Sequence, residues 1–177
     1  TYRAGFSLAG SMNPEEGRLR PQIMDRFGLR VLVHGLEEEN ERLEAYRRVQ
    51  VYRHNPRGMI NGYAQDTQFA RREIEAARRL LPSVTLPGPV ARAGIAMIRE
   101  LRIPSLRAEL TLFESARALA AADNRAEVTM DDLCRVAPMA LRMRRSSFMN
   151  RFFDEQNAED SEISGKIESI QPDSEEK

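Results

Sequence analysis

Two adjoining stretches, GSMNPEEG (10–17) and LRPQIMDRFGL (19–29), place an asparagine where a strand is expected to end and an arginine at the end of a short helix. An amide at such a strand end can donate to a phosphate oxygen or orient a water, because strand ends beside a nucleotide crevice point their side chains at the ligand. Asn-Pro also starts turns in which the asparagine bonds its own backbone, so Asn13 has two readings. Asp25 and Arg26 divide the same way, between an ordinary surface ion pair and a guanidinium kept for a ligand. Arg107, near the start of LRAEL (106–110), can present its fork to an anion or pair with Glu109 or a neighbouring helix. Glu15 and Glu16 are assigned to the turn before the helix, where they can also face an interface.

Those residues need elements to hold them. Phe6 to Met12 is a short apolar, small-residue run stopped by Asn13-Pro14, which predicts a buried strand. Pro21 starts the short helix that carries Asp25 and Arg26. Leu29 to Leu36 is rich in branched residues and predicts a second strand, with Gly28 at the bend into it.

Helical spacing follows. Leu43, Tyr46 and Val49 mark one helix and Phe69, Ile74, Ala77 and Leu81 the next, with HNPRGMINGY (54–63) read as a loop between them. After a proline-broken connector from Val84 to Pro89, Val90, Gly94, Met97 and Leu101 line a third helix. Leu106, Leu110 and Phe113 line a fourth. Thr129 with Asp132 three residues on predicts a capping box for a fifth, whose buried stripe is Leu133, Val136, Ala140 and Leu141.

From Asp154 onward Glu, Asp, Ser and Gln dominate, a composition that buries too little apolar surface to offset chain entropy and predicts disorder. Phe148, Phe152 and Phe153 are candidates to dock just before it. Formal charge over the 177 residues is zero, which conceals this acidic tail against a basic remainder. The run Arg142, Arg144 and Arg145 lacks the aromatic interleaving of a nucleic-acid site and is read as a solvated helix end favoured by the dipole.

One cysteine, Cys134, and two histidines, His34 and His54, exclude an intramolecular disulfide and argue against a zinc site. No apolar run approaches the roughly 18 residues a bilayer span needs, so a cytoplasmic setting is the expectation. The phosphate-loop pattern G-x-x-x-x-G-K-[ST] does not occur, and Gly165-Lys166 lacks its spacing and its strand-to-helix context. Nor does an apolar strand end in Asp-Glu to hold magnesium. Both elements are expected ahead of Thr1, and this chain alone is not expected to bind or hydrolyse ATP.

GSMNPEEGRLRPQIMDRFGL (10–29) resembles the sensor-1 and arginine-finger region of the magnesium-chelatase ATPase subunits, a AAA+ family. SLRAELTLFESARALAAADNRAEVTMDDLCRVAPMALRMRR (105–145) is similar to their helical lid. The resemblance runs from about Gly5 to Arg145 and has no counterpart for Ser146 to Phe153 or the acidic tail. It implies a truncated α/β AAA+ module: the last strands of a parallel sheet in 1–37, connecting helices in 38–82, an all-helical lid in 83–147 and a tail in 148–177.

By that resemblance Asn13 is the sensor-1 residue, touching the γ-phosphate and attacking water of its own subunit. Arg26 is the arginine finger for the neighbouring subunit, with Asp25 orienting it or pairing with it. Arg107 is the sensor-2 arginine, moving with the lid. An arginine suits these roles because its planar fork keeps its charge and meets two phosphoryl oxygens. The implied cofactors are ATP and Mg2+, held mainly by residues outside the sequence, and the implied assembly is a homo-oligomeric ring.

The implied partners are the chelatase D subunit and the porphyrin-binding H subunit, with no nucleic acid. The implied work is insertion of Mg2+ into protoporphyrin IX on the way to chlorophyll, in the cytoplasm or a plastid stroma. Two alternatives stay open: the AAA+ platform region of the D subunit, and a cobaltochelatase or MoxR-type chaperone ATPase.

Overall fold

The computed structural model describes residues 7–13, 15, 20–145 and 147–170. Phe6, Pro14, Glu16 and Gly17, which enter the first strand and turn expectations, lie outside them, as do the side chains of Phe148, Phe152 and Phe153. Helices dominate the described residues: α1 (Pro21–Met24), α2 (Glu39–His54), α3 (Pro56–Gly62), α4 (Ala64–Leu80), α5 (Gly88–Glu100), α6 (Leu106–Ala122), α7 (Met130–Leu141) and α8 (Ser147–Ile170).

The core lies between Val84 and Leu141, where α5, α6 and α7 enclose Ile98, Leu112, Val128, Leu133 and Val136. Four alanines, Ala108, Ala116, Ala120 and Ala140, are fully buried among them. Side chains this small bring the axes of packed helices close. The buried face of α6 is therefore only partly the expected one, with Phe113 packed against the core. Leu106 and Leu110 are 74% and 59% exposed, while Ala108, Leu112, Ala116 and Ala120 face inward.

At Gly94 the approach of α5 is closest, since an added β-carbon would stand 2.5 Å from the Phe113 ring. A single parallel bridge, Thr85 to Glu127, ties the connector before α5 to the loop before α7. Arg117 of α6 reinforces it by donating to the Val84 and Leu81 carbonyls.

Local chemistry sets the helix ends. Thr129 and Asp132 form the predicted capping box of α7. Asp132 is fully buried and takes both ends of the Arg125 guanidinium, at 2.8 and 2.5 Å. Arg125, followed by Thr129, holds its carboxyl down at about 2, against burial, which pushes it up. Helices α5 and α6 both end in Schellman turns, with Arg102 and Asn124 at φ 49° and 56° and paired 6→1 and 5→2 bonds behind them.

Three expectations differ from the structure. The described part of 6–12 and all of 29–36 form no strand. A strand exists only through its ladder, and no described segment lies alongside to pair with either. Residues 54–63 are not a loop, because Pro56 at the first turn and the Asn55 side chain, accepting from Gly58 N–H, start α3. The acidic tail is helical to Ile170. Its Glu, Gln and Lys side chains lose little rotamer freedom in a helix, and Lys166 pairs with Glu162 four residues back, so local preference suffices without a core.

Candidate functional site

Just after α1 the chain makes a turn in which the Arg26 and Phe27 amides donate to the Ile23 and Met24 carbonyls. Asp25, in this turn, is a hub. Its Oδ1 accepts from Ser105 Oγ at 3.1 Å and from Arg144 Nη1 at 2.8 Å, and its Oδ2 lies 3.7 Å from Arg107 Nε. Ser105 occupies the N-cap position of α6, where its hydroxyl makes no cap bond and donates to Asp25. A residue type that ordinarily caps has been diverted to hold this turn.

Asp25 does not pair with Arg26, as the expectation had it. Three groups of the helical domain surround the carboxylate, whereas Arg26 is exposed and has no ion pair or side-chain hydrogen bond among the described residues. Arg107 does not pair with Glu109, whose Oε2 is buried without a partner. It lies over half exposed at 3.7 Å from Asp25, too far for a hydrogen bond, so its fork is only loosely held.

Asn13 accepts from the Glu15 amide at 3.3 Å, the self-turn reading of that residue. No hydrogen bond or ion pair joins it to the Asp25 cluster among the described residues. Its segment is nonetheless close by, since a β-carbon on Gly10 would sit 3.7 Å from the Phe27 ring.

Two arginines belong to the site that sequence reasoning did not place there. Arg144, expected at a solvated helix end, has no exposed side-chain area and donates to the carbonyls of Asp25, Phe27, Gly28 and Ala140 as well as to Thr111 Oγ1. Arg30 is buried beside it and donates to the Met24 and Arg142 carbonyls, and its amide donates to Met139. Burial first, and then the neighbouring Arg144, push the Arg30 pKa below its ordinary value, with Asp25 opposing. Nothing in the spacing of Arg142, Arg144 and Arg145 marks the middle one as buried. That depends on a turn more than a hundred residues away in sequence.

Arg107 and Arg144 thus face one carboxylate, with Arg30 buried beside Arg144 and Arg26 next to Asp25 in the chain. Cationic excess of this kind draws an anion, and of the four only Arg26 and Arg107 keep their heads in solvent to meet one. The donor set suits phosphate oxygens. Among the described residues no three His, Cys, Asp or Glu side chains converge as a metal site would require.

Residues 92–165 match the AAA lid domain family. The chain is 43% identical to the magnesium-chelatase 38 kDa subunit of Acidiphilium rubrum over 81% of its own length and 41% of that protein. It is 41% identical to the magnesium-chelatase subunit ChlI homolog of Methanocaldococcus jannaschii, again over 81% of its length. Over four fifths of its length the chain is thus homologous to magnesium-chelatase subunits, and within that length it carries a match to the AAA lid. It spans about two fifths of the length of these relatives.

A crystal structure from Cytophaga hutchinsonii, assigned as an ATPase, superposes over 72% of this chain and 41% of its own with a TM-score of 0.51. At 24% identity that likeness speaks for the fold alone. The matched 81% of the chain is longer than the lid itself. No helix among the described residues is long and apolar enough to cross a membrane.

Proposed function

We propose that this chain is the sensor-and-lid portion of a ring-forming AAA+ ATPase that drives insertion of Mg2+ into protoporphyrin IX. Arg26 is its arginine finger and reaches the ATP site of the next subunit. Arg107 is its sensor-2 arginine and acts on its own subunit's nucleotide. Asn13 is its sensor-1 residue: its Oδ1 accepts from the Glu15 amide, which leaves the side-chain NH2 to donate to a phosphate oxygen.

ATP with Mg2+ supplies the phosphoryl group, and the chain's residues bind and orient it. The observation that carries this reading is the contrast at residues 25 and 26: Asp25 is anchored from three sides while Arg26 is exposed and has no ion pair or side-chain hydrogen bond among the described residues. A fixed backbone presenting a free guanidinium is what a transferring phosphoryl group needs from a finger, which contributes roughly 10³ to 10⁵ in rate.

The loosely held Arg107, by contrast, sits on the helical domain and can swing with it. The relatives' names, magnesium chelatase, support the metal, and the client and partners are those that the sequence resemblance implies. The porphyrin-binding H subunit receives the work of the ring and the D subunit joins it, in a cytoplasmic or stromal setting.

The test uses the full-length protein that carries this region. Arg26→Ala is expected to lose at least about a hundredfold in steady-state ATPase rate. An equimolar mixture with a phosphate-loop lysine variant is expected to regain activity, because each defective subunit then lends the part its neighbour lacks. Wild-type ATP turnover by Arg26→Ala would remove the finger assignment. Reconstitution with the H and D subunits, followed by fluorescence of the metallated porphyrin, tests the client separately.

A further inference from the structure

Arg144 is the most completely engaged side chain near the site. An arginine offers five N–H donors in a rigid fork. Here Nε donates to the Ala140 carbonyl at 2.7 Å, and Nη1 to the Asp25 carbonyl and carboxylate at 3.3 and 2.8 Å. Nη2 reaches the Phe27 and Gly28 carbonyls and Thr111 Oγ1 at 3.1, 3.0 and 3.1 Å. Three of these acceptors are backbone carbonyls on either side of Arg26.

The acceptors come from three places, the turn at 25–28, the middle of α6 and the end of α7, so one side chain fastens the turn to the lid helices. The backbone is bent to allow it. Met143, just before Arg144, has φ 56°, a left-handed conformation disfavoured for any residue with a β-carbon. That bend turns the chain at the end of α7 and brings Arg144 Nε back onto the Ala140 carbonyl.

We propose that Arg144 is a positioning residue: it locks the Arg26-bearing turn onto this subunit's own lid, so that the lid sets where the finger stands in the neighbour's site. The inference rests on the finger reading of Arg26. Asp25 completes the link, because the same carboxylate that Arg144 grips also faces Arg107, the lid arginine of the subunit's own site. Lid position in one subunit and finger position in the next are thereby joined through one carboxylate. Lysine cannot replace Arg144, having three donors on a single nitrogen and no planar fork to span several carbonyls.

The experiment compares Arg144→Lys, Thr111→Val and Arg26→Ala in the full-length ATPase, each alone and each mixed equally with a phosphate-loop lysine variant. Arg144→Lys is expected to lower kcat by about 10- to 100-fold, the scale of an ångström-sized misplacement of a catalytic group. KM for ATP should shift less than kcat, because Arg144 fastens the finger-bearing turn directly and reaches Arg107 only through Asp25.

Mixing should bring back up to about a quarter of the wild-type rate, since in a head-to-tail ring half the subunits are nucleotide-competent and half of those meet an intact finger. Thr111→Val removes one acceptor and leaves the fold's apolar contacts, so it should lower kcat a few-fold, with mixing raising the rate per nucleotide-competent subunit above that of the variant alone.

If the Arg26→Ala mixture recovers and the Arg144→Lys and Thr111→Val mixtures do not, both residues serve their own subunit's site or only its folding, and the proposal is overturned. Wild-type kcat in Arg144→Lys overturns it equally. If Arg26→Ala alone turns over ATP normally, the finger reading itself has failed and this inference falls with it.

Discussion

Asp132→Ala removes four hydrogen bonds at once: those from the Thr129 amide and hydroxyl at 2.8 and 2.9 Å, and the two from Arg125. The reciprocal cap at Thr129 is worth about 1 kcal/mol. A buried carboxylate held by charge-assisted bonds contributes roughly 1.5 to 3 kcal/mol more, with the lower end expected because the Arg125 side chain is 35% exposed and can rehydrate. The sum is about 2 to 3 kcal/mol, a large part of the roughly 5 to 15 kcal/mol that holds a domain folded.

Urea unfolding of the chain, followed by circular dichroism, should show the midpoint falling by about 1 to 2 M at unchanged slope. The sign with pH is fixed by the direction of the shift. Asp132 titrates at about 2 in the folded chain against an ordinary 3.8, so its contribution is whole above that ordinary value and fades as pH falls toward 2. The gap between wild type and variant should therefore be constant from neutral pH to about 4 and narrow below it. A variant within about 0.5 kcal/mol of wild type at pH 7, or a gap unchanged down to pH 2, would refute the reasoning.

Two further outcomes follow from backbone geometry. Gly94→Ala gains helix propensity but drives a methyl into the Phe113 ring, 2.5 Å away, and should cost about 1 to 2 kcal/mol in thermal or urea unfolding, with Gly94→Val costing more. Arg102→Gly relieves a left-handed residue at the end of α5 and loses only an exposed ion pair with Asp154, so it should raise stability by up to about 1 kcal/mol, read as a rise of a few degrees in Tm.

The helices were legible where their signals are local. The stripe Leu133, Val136, Ala140 and Leu141 and the cap at Thr129 and Asp132 lie within a few turns of one another, and all four stripe residues are buried. On α6 the same kind of reading placed Phe113 against the core and missed with Leu106 and Leu110. Weighting by side-chain size favoured Leu106 and Leu110, but a closely packed helix pair buries alanines and leaves those leucines outside. The candidate site was legible in residue type and unreadable in partnership. Asp25, Arg26 and Arg107 could be named from motif, whereas the anchoring of Asp25 by Ser105 and Arg144, and the freedom of Arg26, could not.

What the sequence by itself determined is therefore a set of short-range properties: the amphipathic helices of 88–141, the cap at Thr129 and Asp132, and the likeness to magnesium-chelatase subunits. Tertiary structure alone decided that Arg144 leaves solvent, that Asp25 turns toward the lid and not toward Arg26, and that 29–36 runs as exposed chain held at Arg30. The reason is range. Helix hydrogen bonds and caps join residues three or four apart, so their chemistry is written in consecutive letters. The guanidinium of residue 144 finds its acceptors at 25–28, and a strand finds its ladder only when another strand lies beside it.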